Sequence, residues 1–163
     1  MNSRFLIVLV IFPIIGFSQS FELKKPNISK LKDALEQNNS TEIIYAYLLQ
    51  EYENIGEKKN VKMFEYNKNQ ICAFEKEFLG GISYTIDECA EEGGITYNIT
   101  FPRIDKKELM NWVEIMDSND LSEIENSWNS DGTIYRPNDE GVGCYYTIKE
   151  TETKSTVEVW CGC

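Results

Sequence analysis

Two pairs of cysteines constrain the fold of this chain more than any other feature, because each pair faces itself across a predicted β-hairpin. A two-residue turn at the first Gly-Gly pair matches position i with 161 − i, which places Cys72 opposite Cys89. A turn at "ETETK" matches i with 305 − i and places Cys144 opposite Cys161. Opposed residues in a non-hydrogen-bonded pair, as predicted for Cys72 and Cys89, have Cα atoms about 4.5 Å apart, within disulfide range. The spacing therefore predicts two disulfides, with buried thiols as the alternative, since connectivity does not follow from sequence.

The fifth cysteine, Cys163, is left without a partner in this scheme. Either it is an exposed thiol that bridges to another molecule or exchanges with Cys161, or it is an unpaired terminal cysteine. Pairing of Cys144 with Cys163 instead of Cys161 is a further alternative. A lone C-x-C in a chain without histidine lacks the four ligands of a structural zinc site, so we expect no bound metal.

Residues 1–20 have the layout of a secretory signal peptide. A basic start precedes the apolar run 5–15, and small residues occupy positions −3 and −1 for cleavage after Ser18 or Ser20. The apolar run is shorter than the roughly 20 residues that span a bilayer, so no membrane insertion is expected after cleavage. We expect an exported protein, periplasmic or extracellular, in an oxidising compartment, with residues 21–163 forming one domain.

Hydrophobic periodicity predicts an α+β fold. Two helices, at 28–36 and from about 42 to 55, form an N-terminal helical hairpin, and four strands between 61 and 101 form an antiparallel meander. Two further helices follow. One begins at Asp105, and "DLSEIENSW" predicts a shorter one that buries Leu121, Ile124 and Trp128. A loop from 129 to 143 and the C-terminal hairpin complete a sheet of about six strands.

The predicted registers place one set of apolar side chains on a single core face of the meander. Its members are Ile71, Leu79, Ile82, Tyr84, Ile86, Tyr97, Ile99 and Phe101. The same register puts Glu75 and Glu77 on that face, where they either lie at a solvated strand end or form part of a carboxylate site.

The residue inventory excludes several kinds of catalysis. With no histidine, neither Ser-His-Asp nor Cys-His catalysis is available, and the usual general base near neutral pH is missing. The chain has no glycine-rich phosphate-binding motif, so we expect no cofactor. A hydrolase that uses two carboxylates remains possible, because it needs only two acids in a cleft.

The charge distribution favours a binding function. Residues 21–80 carry 9 Lys and Arg against 10 Asp and Glu, whereas residues 81–163 carry 6 against 17. Such acidity repels nucleic acid and attracts basic partners, although it also serves solubility alone. The oligomeric state does not follow from the sequence.

A surface for this binding is predicted near the C-terminal hairpin. Tyr145 and Trp160 are paired on the face opposite the disulfide, and they are either an exposed binding hot spot or a pair covered by the Trp112 helix, with cover the favoured interpretation. We expect an inhibitor-like or immunity-like protein that meets a basic partner through Asp131, Asp139 and Glu140, with Tyr145 and Trp160 as anchors. The alternatives are an envelope hydrolase and a structural envelope component linked through Cys163.

Overall fold

Alternation of apolar and polar residues builds one large sheet, against which the helices pack. The computed structural model describes residues 21–38, 42–90, 93–117, 126–137 and 143–162. Within these ranges the helices are α1 (Ile28–Asn38), α2 (Ile43–Glu51) and α3 (Lys106–Asp117). The strands are β1 (Asn54–Met63), β2 (Ile71–Phe78), β3 (Ile82–Asp87), β4 (Ile95–Pro102), β5 (Asn126–Trp128), β6 (Ile134–Pro137), β7 (Gly143–Glu150) and β8 (Lys154–Gly162). They form an antiparallel sheet in the order β1-β2-β3-β4-β8-β7-β6-β5.

The core lies between the helices and one face of this sheet. Trp112 of α3 packs between aromatic rings, with centroids 5.7 Å from Tyr47 and 5.6 Å from Phe101. The predicted start of α3 is confirmed, because the Asp105 carboxylate accepts hydrogen bonds from the backbone N–H groups of Lys107 and Glu108. The buried residues of α3 form one apolar stripe along the helix: Leu109, Trp112, Val113 and Met116.

The sheet has eight strands, so the prediction of about six is wrong. β5 and β6 arise from the end of the predicted short helix and from the predicted loop, and Trp128 pairs with Tyr135 between them. The two rings pack with centroids 4.9 Å apart, which anchors both strands. At three and four residues, these strands are too short to show a period of two. The predicted helix is therefore wrong over 126–128, and its residues 120–125 lie outside the described ranges.

The predicted register between β2 and β3 is wrong by one residue. Phe78 pairs with Ile82, so three residues form the turn and positions sum to 160 instead of 161. An odd shift exchanges the two faces of a strand. Phe78 is accordingly buried, while Leu79 is 57% exposed in the turn.

The same shift moves two predicted core-face acids to the other side of the sheet. Glu75 and Glu77 point away from the helices, and Lys76 takes the inward position with 7% of its surface exposed. Its ammonium group donates a hydrogen bond to the backbone carbonyl of Gly56. Between β3 and β4 the predicted register is wrong by two, which preserves the faces, so Tyr84 lies opposite Ile99.

The predicted C-terminal hairpin and both predicted disulfides are confirmed. Cys144 pairs directly with Cys161 in the β7–β8 ladder, and their Cα atoms are 4.1 Å apart. Cys72 is bonded to Cys89 with Cα atoms 5.0 Å apart. The chain leaves the β2–β3 ladder after Asp87, so Cys89 reaches Cys72 although the two are not register partners.

The predicted helical hairpin is matched only in part. Two consecutive helices are present, but α2 ends at Glu51 instead of continuing to Ile55. Glu42 caps α2, because its carboxylate accepts hydrogen bonds from the N–H groups of Ile44 and Tyr45.

Several predicted features lie outside the described residues. They are the signal peptide at 1–20, Asp139, Glu140 and Cys163. No helix in the described ranges is both long enough and apolar enough to cross a bilayer.

Candidate functional site

Among the described residues, no helix packs on one face of the sheet, and we call it the open face. Three rows of side chains cross it, each row following the pairing of neighbouring strands. The rows are Asp87-Thr96-Trp160-Tyr145, Thr85-Asn98-Glu158-Thr147 and Ser83-Thr100-Thr156-Lys149. Alternation in β4 itself, "ITYNITF", was the sequence signal for this polar surface, because its threonines and asparagine all point to the side opposite the core.

Six of the charged side chains on and beside the open face are paired with one another, whereas the exposed Glu77 and Arg136 lie near its two edges. Three salt bridges join the six: Lys59–Glu75 at 3.0 Å, Lys62–Asp87 at 2.7 Å, and Lys149–Glu158. The hydrogen bond from Lys62 holds the pKa of the Asp87 carboxyl below its usual range, with help from the backbone N–H of Cys89. The open face therefore presents hydroxyl and amide groups between self-compensated charges.

Tyr145 and Trp160 form an aromatic pair at one end of the open face. Their ring centroids are 5.6 Å apart. Trp160 is 42% exposed and Tyr145 is half-buried. The favoured interpretation, that the Trp112 helix covers this pair, is wrong, because Trp112 is buried in the core on the opposite face of the sheet.

Two glycines make room for the Trp160 indole. A Cβ atom on Gly162 would lie 2.7 Å from the six-membered ring of Trp160, far inside van der Waals contact. A Cβ on Gly94 would lie 3.5 Å from the indole nitrogen, and Gly94 also has a φ of +108°. The Trp160 ring lies against the backbone of Gly162 instead of pointing away from the sheet. A side chain at position 162, between the last two cysteines, would therefore collide with the ring.

We call the end of the sheet beside this pair the acidic end. β3 and β8 finish there, at Asp87 and Gly162, and β4, β5 and β7 begin there. Three chain connections attach at this end, namely residues 88–94, 118–125 and 138–142. By sequence they contain three, three and two acidic residues and no lysine or arginine.

The other turn at this end of the sheet lies at the far edge. It joins β1 to β2 through residues 64–70 and contains one acid, Glu65, and one base, Lys68. By sequence, the excess of acidic residues in the segments attached to this end therefore belongs to the three connections 88–94, 118–125 and 138–142.

Asp131 lies apart from the other predicted binding residues. It is in the β5–β6 turn, at the opposite end of the sheet from Trp160. Its carboxylate accepts hydrogen bonds from the hydroxyl and the backbone N–H of Thr133, which lower the pKa of this exposed carboxyl. Its backbone carbonyl accepts a hydrogen bond from Lys106. The structure therefore gives Asp131 a role in shaping its own turn.

Glu42 is the acid whose environment is most unusual. Burial raises the pKa of its carboxyl, while hydrogen bonds from Tyr84 and from two backbone N–H groups act in the opposite direction. Burial also raises the pKa of the Tyr84 hydroxyl, reinforced by the neighbouring Glu42 charge. The pair joins the start of α2 to the middle of β3, which is a structural role that sequence inspection missed because Glu42 resembled an ordinary first-turn acid.

A cleft of about 480 Å³ lies between the N-terminal segment and α3, where Lys24, Lys25, Glu108 and Glu114 are among the lining residues. Glu114 accepts a hydrogen bond from the indole N–H of Trp128 at 2.7 Å, so it is engaged in holding α3 to β5. Lys24 donates to the backbone carbonyl of Glu51. Within the described ranges, no group of three or more Cys, Asp or Glu side chains is arranged to hold a metal ion.

Comparison of the chain with protein-family models, curated protein sequences and solved structures finds no match. Its function must therefore be argued from the chemistry of its own surfaces.

Proposed function

We propose that this chain is an exported acidic binding protein, of the inhibitor or immunity type, that engages a basic protein partner through the acidic end of its sheet. The observation that carries the proposal is that the strand ends to which three connections attach lie at the end of the sheet that carries the exposed Tyr145–Trp160 pair, and that these connections are rich in acids by sequence. Their eight acidic residues have no lysine or arginine among them. A concentrated negative potential of this kind steers a positively charged partner and fixes its orientation.

Lysines elsewhere in the chain leave this charge unmatched. Lys59, Lys62 and Lys149 are paired on or beside the open face, and Lys76 is buried against a backbone carbonyl. Lys58 lies over the ring of Phe74, 3.5 Å from its centroid. These five lysines therefore serve the fold. Arg136 near the end of β6 sets one positive charge against the eight acids of the three connections, so the excess remains negative.

The aromatic pair supplies the apolar component of the interface. Interfaces combine a desolvated aromatic anchor with a charged rim, and tryptophan and tyrosine are among the commonest anchors. Trp160 is already ordered against Gly94, Gly162 and Tyr145, so it loses little side-chain entropy on binding. The Cys144–Cys161 disulfide fixes the two strands that carry the pair.

The first experiment is a pull-down from the exported fraction of the producing organism with the mature chain from Gln19, washed at low and then high salt. A basic protein retained at low salt and released at high salt is the expected partner, because exposed charges are screened within about 8 to 10 Å at physiological ionic strength. Its affinity is then measured by calorimetry across a salt series. Failure to retain any basic protein at low salt contradicts the proposal.

Charge variants assign the interface. The fourfold variant Glu91→Gln, Glu92→Gln, Asp139→Asn and Glu140→Gln removes half of the acids of the three connections. At a few tenths of a kcal/mol for each exposed charge, it should weaken partner binding about tenfold and flatten the salt dependence. The control neutralises Glu53 and Glu152, which lie at the other end of the sheet, and should leave affinity unchanged. Equal effects of the two variants would indicate a nonspecific charge effect and refute the assignment.

A further inference from the structure

The open face has the chemistry of a second binding surface, which shares Trp160 with the acidic end but otherwise uses different residues. It is broad, because eight strands about 4.8 Å apart span roughly 34 Å. On β3, β4, β7 and β8 its uncharged side chains, apart from the Tyr145–Trp160 pair, are hydroxyl and amide groups that both donate and accept hydrogen bonds, and they lie in rows on neighbouring strands. These side chains are Ser83, Thr85, Thr96, Asn98, Thr100, Thr147 and Thr156, all of them half-buried. The outer strands add the exposed side chains of Ile55 and Ile134.

Three pairs of charges beside these groups are satisfied within the protein, and Arg136 on β6 and Glu77 on β2 add one exposed charge of each sign, so the face has no net excess of either sign. Lys59 and Lys62 bond to Glu75 and Asp87, and Lys149 bonds to the central Glu158. A charged ligand would have to compete with these pairs. An uncharged ligand rich in hydroxyl groups exchanges hydrogen bonds with the face and leaves the salt bridges intact.

Trp160 adds a flat apolar platform to one end of this polar surface. One side of the indole is occupied by the backbone around Gly94 and Gly162, and the ring is still 42% exposed. The apolar C–H face of a pyranose ring packs on an exposed indole of this kind, while the hydroxyl groups at its rim reach neighbouring polar side chains. Thr96 lies directly beside Trp160 on β4, and Glu158 and Asn98 lie one row further along.

We propose that the open face binds an extended, uncharged polysaccharide, with Trp160 stacked on one sugar ring and the rows around Asn98 and Thr147 bonding to the following ones. The occupant is a neutral polyhydroxyl polymer because the face is charge-compensated, polar and long in one direction. This inference goes beyond the proposed function, since it uses the face of the sheet and not the acidic connections at its end.

The test measures binding of a panel of neutral hexasaccharides, derived from cellulose, chitin, xylan, mannan and starch, to the mature chain with its disulfides intact. Calorimetry gives the affinity, and quenching of tryptophan fluorescence by acrylamide reports on the platform. Trp112 is 2% exposed and Trp128 is half-buried, so protection from acrylamide on binding should arise mainly at Trp160.

Three variants locate the site. Trp160→Ala should weaken binding at least about tenfold, as expected for an aromatic anchor that becomes buried when the ligand binds. Thr147→Val keeps the β-branched shape and removes one hydroxyl, and it should weaken binding about threefold. Tyr66→Ala is the matched control, because Tyr66 is 70% exposed in the β1–β2 turn, away from Trp160, and should leave affinity unchanged. Near-ultraviolet circular dichroism confirms that each variant is folded.

Salt separates this proposal from the proposed protein interface. Polysaccharide binding should be the same at low and high salt and in the fourfold acidic-end variant, whereas binding of a basic protein should be lost at high salt and weakened about tenfold in that variant. Binding of a panel member that is weakened by Trp160→Ala and Thr147→Val and is insensitive to salt supports the open-face proposal. Absence of binding to every panel member, or binding unaffected by Trp160→Ala, overturns it.

Discussion

The two disulfides offer a matched test of what stabilises this fold. Both link cysteines 17 residues apart, so each closes a loop of the same length. We predict the effects of two double variants, Cys72→Ala/Cys89→Ala and Cys144→Ala/Cys161→Ala. Both are made in a Cys163→Ser background, so that no fifth thiol forms a new bridge. A peptide map without reductant first establishes the native pairings, and a Cys72–Cys144 link there would invalidate the comparison.

The magnitude follows from loop closure and from burial. For a loop of about 18 residues, the chain-entropy treatment gives about 3 kcal/mol at 25 °C for either bridge. The bridges differ in burial, because Cys72 is 1% exposed whereas Cys144 and Cys161 are half-buried. Removal of a fully buried sulfur adds about 1 kcal/mol for lost contacts and residual space. We therefore expect the unfolding free energy to fall by about 4 kcal/mol without Cys72–Cys89 and about 3 kcal/mol without Cys144–Cys161.

The assay is urea unfolding of the mature chain, followed by circular dichroism, with the slope m fitted separately for each variant. Loss of a bridge expands the unfolded ensemble, so m should rise along with the loss of stability. Losses below about 1 kcal/mol for both variants would refute the loop-closure reasoning. A larger loss for Cys144–Cys161 than for Cys72–Cys89 would refute the part that depends on burial.

Three further predictions test single residues. Gly162→Ala should displace the Trp160 ring, because the added Cβ would lie 2.7 Å from it, and should cost about 1 kcal/mol with a change in near-ultraviolet circular dichroism. An unchanged aromatic spectrum would show that the ring is not held there. Glu42→Gln should alter the pH dependence of stability. Burial raises the folded-state pKa of the Glu42 carboxyl above its unfolded value of 4.5, so its favourable contribution is complete below that value and is lost as pH rises through the folded pKa. Urea unfolding between pH 4 and 8 should therefore show the glutamine variant gaining stability relative to the native chain as pH rises, and parallel profiles would count against this. Ser155→Ala should cost about 1 to 2 kcal/mol in thermal or urea unfolding, because the fully buried hydroxyl bonds to the backbone N–H of Ile104 at 3.1 Å, and an unchanged midpoint would contradict that role.

The C-terminal hairpin shows what sequence patterns can determine. A single turn fixes the β7–β8 register, and every predicted pair, from Cys144–Cys161 to Lys149–Thr156, is present. The alternation of β8 places Val157 and Val159 inward, so pattern, turn and disulfide agree. Agreement of three independent constraints makes the prediction reliable here.

The β2–β3 turn shows where such reasoning fails. Two glycines suggested a two-residue turn, but Leu79 joins them, and Gly80 and Gly81 both have φ near +80° to +90°. One extra residue reversed the predicted faces of β2. The residues of β2 do not distinguish the two registers. Ile71 and Phe78 are both apolar, so the odd-numbered and the even-numbered positions each offer a plausible core residue.

The edge strand β1 was predicted only from Val61 onward, although it begins at Asn54, and the reason is different. All ten residues of β1 are exposed, and its ladder is irregular at three places, so no burial alternation marks it. Lysines and irregular pairing protect a sheet edge from association, and they also erase the pattern by which a strand is found. The open face was overlooked likewise, since polar positions were taken as the solvent side of a core pattern and not considered as a surface in themselves.

The uneven distribution of acidic residues makes it possible to test whether they form a binding surface or only keep the protein soluble. Negative charge that served only solubility would be equally useful at any exposed position, and neutralising Glu53 and Glu152 would then have the same effect as neutralising a pair in the acidic connections. The strand ends to which residues 88–94, 118–125 and 138–142 attach instead lie at one end of the sheet, which also carries the exposed indole of Trp160. Charges grouped in this way interact with the same partner surface, so their removal should act on a common salt-dependent association. The comparison of the two sets of charge variants with the basic partner therefore decides between the two roles.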